Sequence, residues 1–407
     1  LTIIAMVRFR KSRSVYTENS SDVNVIEGEG NRSEETNRRP KDTPFRQQEL
    51  TMEVPIFTPF TTIAIFLVIS VVFLPVGVYL MNQSASVVEQ KIRYDGLNSL
   101  PILSDSCKIV QQGTSKTCYI TFEIEKTMEA PVYLYYELGN FFQNHRSYAR
   151  SRSSVQLRGI NLLPDSFCDP LSHSVISEKP LNPCGLIANS FFTDKFELYS
   201  FNNSNIDDGS SEPVLNETGI AWQTDREYRF KQPEGFKKSL CVNSTCEECL
   251  GGITGTCNTT LFNGETWAYW YPDDDEIDYL YEIYPDNISP ILGVEDEHFI
   301  VWMRTASLST FEKLYGFIDR TLEKGSTVQF KVESSFYVAG FDGHKALVLS
   351  TTSEVGGYNP FLGPLYLVVG GVALLIAVYF AAMSKRKRFV KIRYQHSNEP
   401  LMLEIDL

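Results

Sequence analysis

The chain has 407 residues, 43% of them hydrophobic, and a formal net charge of −13. A chain of this length can bury one large hydrophobic core or two smaller ones. Its acidic balance argues against a nucleic-acid partner, because a nucleic-acid surface requires clustered lysine and arginine.

The first 57 residues predict a cytosolic tail without a folded domain of its own. Residues 1–35 mix Ser, Asn and Glu and are typical of a disordered segment. Residues 38–59 combine basic side chains with prolines, and we interpret them as a basic segment next to a membrane.

Two long stretches contain no charged residue, at 60–81 and at 361–383. At about 1.5 Å per residue, a helix over either stretch reaches across the roughly 30 Å hydrocarbon core of a bilayer. A buried core helix is the alternative for one such run. Two runs of this length favour two transmembrane helices.

The flanking charges predict the orientation of these helices. Residues 385–388 read Lys-Arg-Lys-Arg, and basic residues also precede the first stretch, so both termini are expected in the cytosol. Residues 82–360 would then be a luminal or extracellular ectodomain, and 384–407 a basic cytosolic tail. The opening LTIIAMV is too short for the core of a signal peptide, so we expect the first helix to act as an uncleaved signal anchor.

Cysteines and glycosylation sequons agree with this topology. All eight cysteines lie between the two apolar stretches, which fits an oxidising compartment and predicts disulfides. They are Cys107, Cys118, Cys168, Cys184, Cys241, Cys246, Cys249 and Cys257. The predicted glycosylation sites in the same region are Asn202, Asn216, Asn243, Asn258 and Asn287.

The predicted ectodomain contains several strand patterns. In CYITFEIE, apolar and polar residues alternate, as a half-buried strand requires. Further predicted strands are VYLYYEL, FIVWMRT, VQFKVESSFYV and ALVLSTT, which are rich in β-branched and aromatic residues. The spacing in FEKLYGFI instead predicts a helix with Phe311, Leu314, Tyr315 and Ile318 on one face. The expected fold is two transmembrane helices with an α+β ectodomain dominated by antiparallel β-sheet.

The second apolar stretch carries small residues at helical spacing, which we call the small-residue stripe. Its members are Gly370, Ala373, Ala377 and Ala381. Such residues allow another helix to approach closely, although alanine is also common in membrane helices. The partner of the stripe is either the first helix or another protein.

No motif in the sequence predicts catalysis, a cofactor or a bound metal. The acidic run at 273–278 lacks the glycine spacing of an EF-hand loop, so a solvated loop is favoured over a calcium site. The Cys246 and Cys249 pair has the spacing of a metal knuckle, but neighbouring cysteines and sequons favour disulfides. Nucleophile elbows, zinc-binding helices and phosphate-binding glycine loops do not occur. Two alternative functions remain, an ectoenzyme such as a glycosidase and an adhesion or signalling receptor.

Several longer motifs carry a family resemblance. They are RRPKDTPFRQQ at 38–48, APVYLYYELGNFFQNHRSYARS at 130–151, PCGLIANSFFTDKF at 183–196, GIAWQTDREYRF at 219–230, EHFIVWMRTASLSTFEKLYG at 297–316 and GGYNPFLGPLYLVVG at 356–370. In order and position these motifs resemble the accessory subunits of type-four P-type ATPase lipid flippases. This is the family of cell division control protein fifty and ligand-effect modulator three.

The resemblance implies a noncatalytic function with two classes of partner. Family members bind the catalytic subunit of the flippase, accompany it out of the endoplasmic reticulum and support its phosphorylation cycle. The complex moves membrane phospholipids from the exoplasmic to the cytosolic leaflet. The implied location is the endoplasmic reticulum, the Golgi and endosomal system or the plasma membrane.

The resemblance also implies two disulfides, Cys107–Cys118 and Cys168–Cys184, and leaves the pairing of the other four cysteines open. The chain departs from the family pattern in places. After Gln-Gln and Leu of the basic segment, TMEVPIF replaces the more usual Pro-Ala-Trp-type run. Residues 193–195 lack a sequon found in some relatives, and 241–257 resembles a lineage insertion.

On the basis of this family resemblance, we hypothesise that the protein contacts its partner on both sides of the membrane. The cytosolic contact would use Arg38, Arg39 and Phe45, and the ectodomain contact would use Phe141, Phe142, His145, Arg146 and Tyr148. The small-residue stripe would provide the contact within the membrane. The alternative is that NFFQNHR belongs to the core and that the stripe packs against the first helix.

Overall fold

The computed structural model describes residues 43, 45, 58–96, 107–164, 166–202, 214–241 and 258–396, with the side chains of 387–396 excepted. The chain forms two compact units. One combines Leu1–Met81 with Pro360–Leu407, and the other is Asn82–Asn359, which we call the central domain.

The first unit contains two long helices, α1 (Pro59–Ser86) and α6 (Leu362–His396). By length and composition, Pro59–Ser86 and Leu362–Arg386 are able to cross a membrane. Both apolar stretches of the sequence therefore form helices, which confirms that part of the predicted fold.

The two helices of this unit pack closely through glycines. A Cβ atom added to Gly370 would lie 3.0 Å from Cγ of Leu74, and one added to Gly77 would lie 2.9 Å from Cγ of Leu367. Larger side chains at either glycine would force the helices apart.

The central domain contains the strands and the shorter helices. The strands are β1 (Glu89–Gly96), β2 (Lys116–Glu123), β3 (Val132–Gly139), β4 (Leu181–Asn182), β5 (Lys195–Asn202), β6 (Leu215–Asn216), β7 (Lys237–Leu240), β8 (Asn258–Phe262), β9 (Glu265–Trp270), β10 (Asp278–Tyr279), β11 (Phe311–Ile318), β12 (Thr327–Ser334) and β13 (His344–Ser350). The helices are α2 (Arg146–Arg150), α3 (Gln223–Tyr228), α4 (Leu280–Ile283) and α5 (Glu297–Met303).

Antiparallel pairing dominates the sheets of the central domain. A five-stranded sheet has the order β1-β13-β3-β11-β6, and a three-stranded sheet has the order β2-β12-β5. A second three-stranded sheet, β7-β9-β8, and a short parallel pair of β10 with β4 complete the described strands. This arrangement confirms the predicted α+β class with mainly antiparallel sheet.

Strand β2 shows how the sequence pattern becomes structure. Cys118, Ile120 and Phe122 are buried while the residues between them are exposed, so the strand has one core face and one solvent face. Opposite Phe122 lies Val328 of β12, which is also buried. Strand pairing of this kind requires the period of two that CYITFEIE displays.

The helix predicted for FEKLYGFI is wrong, because this segment is strand β11. It pairs with β3, with Phe311 opposite Leu138. The register shifts between Leu314 and Gly316, and this irregularity places the adjacent residues Tyr315 and Gly316 both in buried positions. Because of this bulge, Phe311, Tyr315 and Ile318 are all buried in one strand, although strict alternation would place Ile318 on the opposite face from the other two.

The strand predicted for FIVWMRT is also wrong, because most of it belongs to helix α5. The Asp296 side chain accepts a hydrogen bond from Phe299 N at 3.1 Å and thereby caps the helix. At the other end, Lys313 Nζ donates to the backbone oxygens of Val301 and Trp302 at 3.0 and 2.8 Å. Capping at both ends stabilises a helix of residues whose individual preference is for strands.

The structure contains the two disulfides that the resemblance implies. Cys107 is bonded to Cys118 and Cys168 to Cys184, with Cα atoms 5.4 and 5.5 Å apart. Cys241 is disulfide-bonded as well, and Cys246, Cys249 and Cys257 lie outside the described residues. No described cysteine is free.

Candidate partner-binding surface

The loop after β3 turns sharply at Asn140. This residue has a φ of 60°, in the left-handed region that asparagine tolerates better than most residues. Its Nδ2 donates a hydrogen bond of 2.6 Å to the backbone oxygen of Phe341. The turn directs residues 141–146 across the segment 306–309.

Hydrogen bonds fix this loop to that segment. Phe141 N donates to Ser309 O at 2.9 Å, and Asn144 Nδ2 donates to Ser307 O at 2.8 Å. The fully buried Gln143 accepts a bond of 2.9 Å from Ala306 N through its Oε1. The loop is therefore rigidly placed, which a binding surface requires if it is to avoid a large ordering cost.

Two of the predicted contact residues, Phe141 and Tyr148, pack against other side chains of the protein and are not exposed. The Phe141 ring packs edge-on against Tyr148 and Phe341, with centroids 5.6 and 5.5 Å apart. The Tyr148 hydroxyl lies 2.7 Å from Ser190 Oγ, and burial raises the pKa of Tyr148 to about 12. For these two residues the structure favours a role in the core.

The other three predicted residues are available to a partner. Phe142 is 55% exposed, and His145 and Arg146 are exposed beside it. The facing segment adds Leu308, which is 70% exposed. We call Phe142, His145, Arg146 and Leu308 the Phe142 surface.

Sequence reasoning missed Leu308, because a single leucine within TASLST has no distinguishing pattern. The loop hydrogen bonds decide its position, and these appear only in the fold. An exposed aromatic ring beside an arginine is typical of a protein-binding surface, and Leu308 adds exposed apolar area next to them.

Gly370 of the small-residue stripe lies against Leu74 of the first helix. Ala373 and Ala377 are only 4% and 2% exposed, and Ala381 is half-buried. This contact matches the alternative in which the stripe joins the two helices of the chain. Binding of another protein by the stripe stays a prediction.

The predicted cytosolic contact is largely outside the described part of the chain. Arg38 and Arg39 lie outside it, whereas Phe45 lies within it and is 77% exposed.

The predicted glycosylation sites differ in accessibility. Asn202, Asn216 and Asn258 are exposed, and Asn243 lies outside the described residues. Asn287 is half-buried, and its Nδ2 donates a 2.8 Å hydrogen bond to Thr193 O. A glycan would be attached to that same nitrogen, so Asn287 is the least suitable of the described sequons.

The acidic run at 273–278 is engaged with neighbouring protein groups. The Tyr281 hydroxyl donates to Asp274 Oδ1 at 2.7 Å, and Asp278 Oδ1 lies 3.7 Å from Lys179 Nζ. Within the described ranges, no group of three or more His, Cys, Asp or Glu side chains could hold a metal ion.

Comparison with known proteins identifies the family. Residues 80–388 match the family described as the LEM3 (ligand-effect modulator 3) family / CDC50 family. The chain belongs to the CDC50/LEM3 family. The resemblance seen in the sequence motifs is thereby confirmed.

Relatives of this CDC50/LEM3 chain come from plants, animals and fungi. ALA-interacting subunit 3 of Arabidopsis thaliana is 37% identical over 91% of this chain and 93% of its own length. Cell cycle control protein 50A of Mus musculus is 36% identical over 86% of this chain and 90% of its own length. The phospholipid-transporting ATPase accessory subunit CRF1 of Saccharomyces cerevisiae is 31% identical over 90% and 89%, respectively.

Proposed function

We propose that this chain is a noncatalytic accessory subunit of a phospholipid-transporting P-type ATPase. The observation that carries the proposal is the likeness to the yeast accessory subunit, which extends over 90% of this chain. The chain would bind the catalytic subunit of a type-four pump and accompany it from the endoplasmic reticulum. It would then support transport of phospholipid from the exoplasmic to the cytosolic leaflet.

The proposed topology has two membrane passes, with both termini in the cytosol and residues 82–360 on the luminal or extracellular side. The disulfides of the central domain support this side, because disulfides persist in oxidising compartments. The basic residues 385–388 directly after the second apolar stretch support a cytosolic C-terminus. The protein would therefore reside in the secretory pathway or at the plasma membrane.

The Phe142 surface would contact the luminal loops of the catalytic subunit. Its aromatic ring and leucine can bury apolar area, and its arginine can pair with a carboxylate or a backbone oxygen. The hydrogen bonds of the loop to Ser307 and Ser309 hold the surface in place before binding. Arg38, Arg39 and Phe45 would form the separate cytosolic contact.

Copurification with matched variants tests this proposal. The full-length chain is tagged, expressed with a phospholipid-transporting ATPase and isolated in mild detergent. Replacing Phe142 by Ser and Arg146 by Gln together should reduce the recovered catalytic subunit about tenfold, which corresponds to loss of about 1.4 kcal/mol of binding free energy.

The matched control replaces Leu261 by Ser and Lys237 by Gln. These residues are also an exposed apolar side chain and an exposed basic one, but they lie on β8 and β7. The control should recover as much catalytic subunit as the unchanged chain. Failure of the unchanged chain to recover any P-type ATPase would refute the proposed function, and equal losses in both variants would refute the proposed surface.

A further inference from the structure

An open cleft of about 730 Å³ in the central domain is lined by an unusual number of arginines. The arginines are Arg152, Arg158, Arg229 and Arg304, and among the described lining residues the one carboxylate is that of Asp225. This concentration of positive charge stands out in a chain whose net charge is −13.

The fold brings these arginines together from separate segments. Arg152 follows α2, and Arg158 ends the 3₁₀ turn Gln156–Arg158. Arg229 follows α3, and Arg304 follows α5. No local sequence pattern joins the four, so the cleft is visible only in the structure.

A close backbone approach sets one wall of the cleft. Gly159 has a φ of 85°, and a Cβ atom at this position would lie 2.3 Å from the backbone oxygen of Gln232. The neighbouring Lys231 N donates a 2.9 Å hydrogen bond to Leu157 O. The absence of a side chain at Gly159 thus lets the turn that carries Arg158 lie against the segment after α3.

Asp225 holds two of the arginines. Its buried carboxylate lies 2.8 Å from Nη2 of Arg304 and 3.3 Å from Nη1 of Arg229. The guanidinium of Arg304 also lies over the Trp222 ring, 4.3 Å from its centroid. These contacts orient both guanidinium groups but neutralise only one positive charge.

The other two arginines have no carboxylate partner in the described part of the chain. Nε of Arg158 donates to Ser154 O at 3.1 Å, which leaves its terminal nitrogens for a ligand. Four arginines and one aspartate give the lining a charge of +3. Guanidinium groups donate paired hydrogen bonds that match the geometry of phosphate oxygens.

The cleft also has an apolar floor, made by the buried side chains of Leu157, Phe230 and Met303. An apolar wall strengthens the attraction between a bound anion and the arginines, because it lowers the local dielectric constant. The volume falls within the roughly 300–1,000 Å³ typical of sites for small organic ligands. Charge, volume and floor together fit an organic phosphate better than a bare ion.

We propose that this cleft binds a phosphate ester, with the phosphate held by the four arginines and the organic part against the apolar floor. The ester is either a soluble organic phosphate or the headgroup of a phospholipid, which share the same phosphate chemistry. The cleft shares no residue with the Phe142 surface, so failure of ester binding would leave the proposed function standing.

The test measures ligand binding to the purified full-length chain by titration calorimetry in mild detergent. The two probes are glycerol 3-phosphate and short-chain phosphatidylglycerol, each compared with chloride at equal ionic strength. Binding of either probe supports the site and identifies the source of the phosphate. Replacing Arg152 and Arg158 together by Gln should weaken that binding about tenfold or more.

Neither arginine has an ion pair to lose, so we expect this variant to keep the thermal stability of the unchanged chain. The control replaces Lys126 and Lys324 by Gln, which removes two positive charges from exposed sites outside the cleft. The control should bind the ester within about twofold of the unchanged chain.

Absence of binding by both probes would overturn the proposal, and so would equal weakening in both variants. If the variant at Arg152 and Arg158 binds the ester normally but recovers less catalytic subunit in the copurification described above, the arginines contact protein, which also contradicts a phosphate site.

Discussion

Phe141 and Phe142 are neighbours in the chain with opposite environments. The ring of Phe141 packs against Tyr148, Phe341 and other rings, whereas Phe142 is 55% exposed. The backbone turn at Asn140 and the anchoring of Phe141 N to Ser309 O decide which ring faces inward. Stability and partner binding should therefore separate between these two residues.

Replacing Phe141 by Ala should lower the free energy of unfolding by about 3 kcal/mol, because the substitution leaves a cavity among aromatic rings. The same change at Phe142 should lower the free energy of unfolding by less than about 1 kcal/mol, since an exposed ring buries little area. Chemical denaturation of the two full-length variants, monitored by tryptophan fluorescence, measures the difference. Equal destabilisation would contradict the assigned orientations of the rings.

His298 predicts a pH-dependent contribution to stability. Burial alone lowers the pKa of His298, but the hydrogen bond to Glu217 and the charges of Asp296, Glu217 and Glu297 raise it above 6.5 overall. A raised pKa in the folded state stabilises the fold fully below the unfolded pKa and progressively less as pH rises through the folded pKa.

The measurement compares the unfolding free energies of the unchanged chain and of a His298→Gln variant at about pH 5.5 and pH 8. The advantage of the unchanged chain should be larger at the lower pH. An advantage that is constant, or that grows with pH, would contradict the assigned contact between His298 and Glu217.

Asn216 and Asn287 predict opposite outcomes for glycosylation. Asn216 is exposed, and its Oδ1 accepts hydrogen bonds from Thr218 N and Oγ1 at 2.9 and 2.7 Å. In protein from its native host, Asn216→Gln should remove one glycan and so increase the gel mobility, whereas Asn287→Gln should not change the mobility. A shift with Asn287→Gln would show that the bond to Thr193 O does not protect that nitrogen.

Among the secondary-structure elements, the spacing of apolar residues predicted some correctly and others wrongly. CYITFEIE and ALVLSTT became β2 and β13, because alternating or continuous apolar runs leave few other ways to bury their side chains. FEKLYGFI was predicted as a helix but forms strand β11, and FIVWMRT was predicted as a strand but lies mostly in helix α5. Both predictions failed because the bulge in β11 and the caps of α5 depend on residues outside each segment. Local propensity contains no information about those neighbours.

The contact between α1 and α6 predicts that a larger side chain destabilises the protein at Gly370 but not at the adjacent Gly371. A Cβ at Gly370 would lie 3.0 Å from Leu74 Cγ, but one at Gly371 would have no atom within 4 Å. Gly370→Leu should therefore lower the thermal unfolding midpoint in mild detergent by several degrees, since overpacking costs roughly 1–3 kcal/mol. Gly371→Leu is the matched control and should leave the midpoint unchanged. Similar midpoints for the two variants would contradict the helix contact.

For the whole molecule, the sequence predicted the two apolar helices, the sheet-rich domain and the family. The family is recognised from long motifs and the helices from long uncharged runs, so both could be predicted from the sequence alone. The Phe142 surface was predicted in part, without Leu308, and the arginine cleft was not predicted. Their residues come from separate segments, and hydrogen bonds to Ala306, Ser307 and Ser309 or a close approach at Gly159 bring them together.

If the proposed function is correct, a phospholipid-transporting ATPase requires this chain for its activity. The most direct test is phospholipid-stimulated ATP hydrolysis by a catalytic subunit from the same host, purified with and without this chain. We expect stimulated hydrolysis from the complex and little or none from the catalytic subunit alone. Equal phospholipid-stimulated hydrolysis in both preparations would contradict the proposed function.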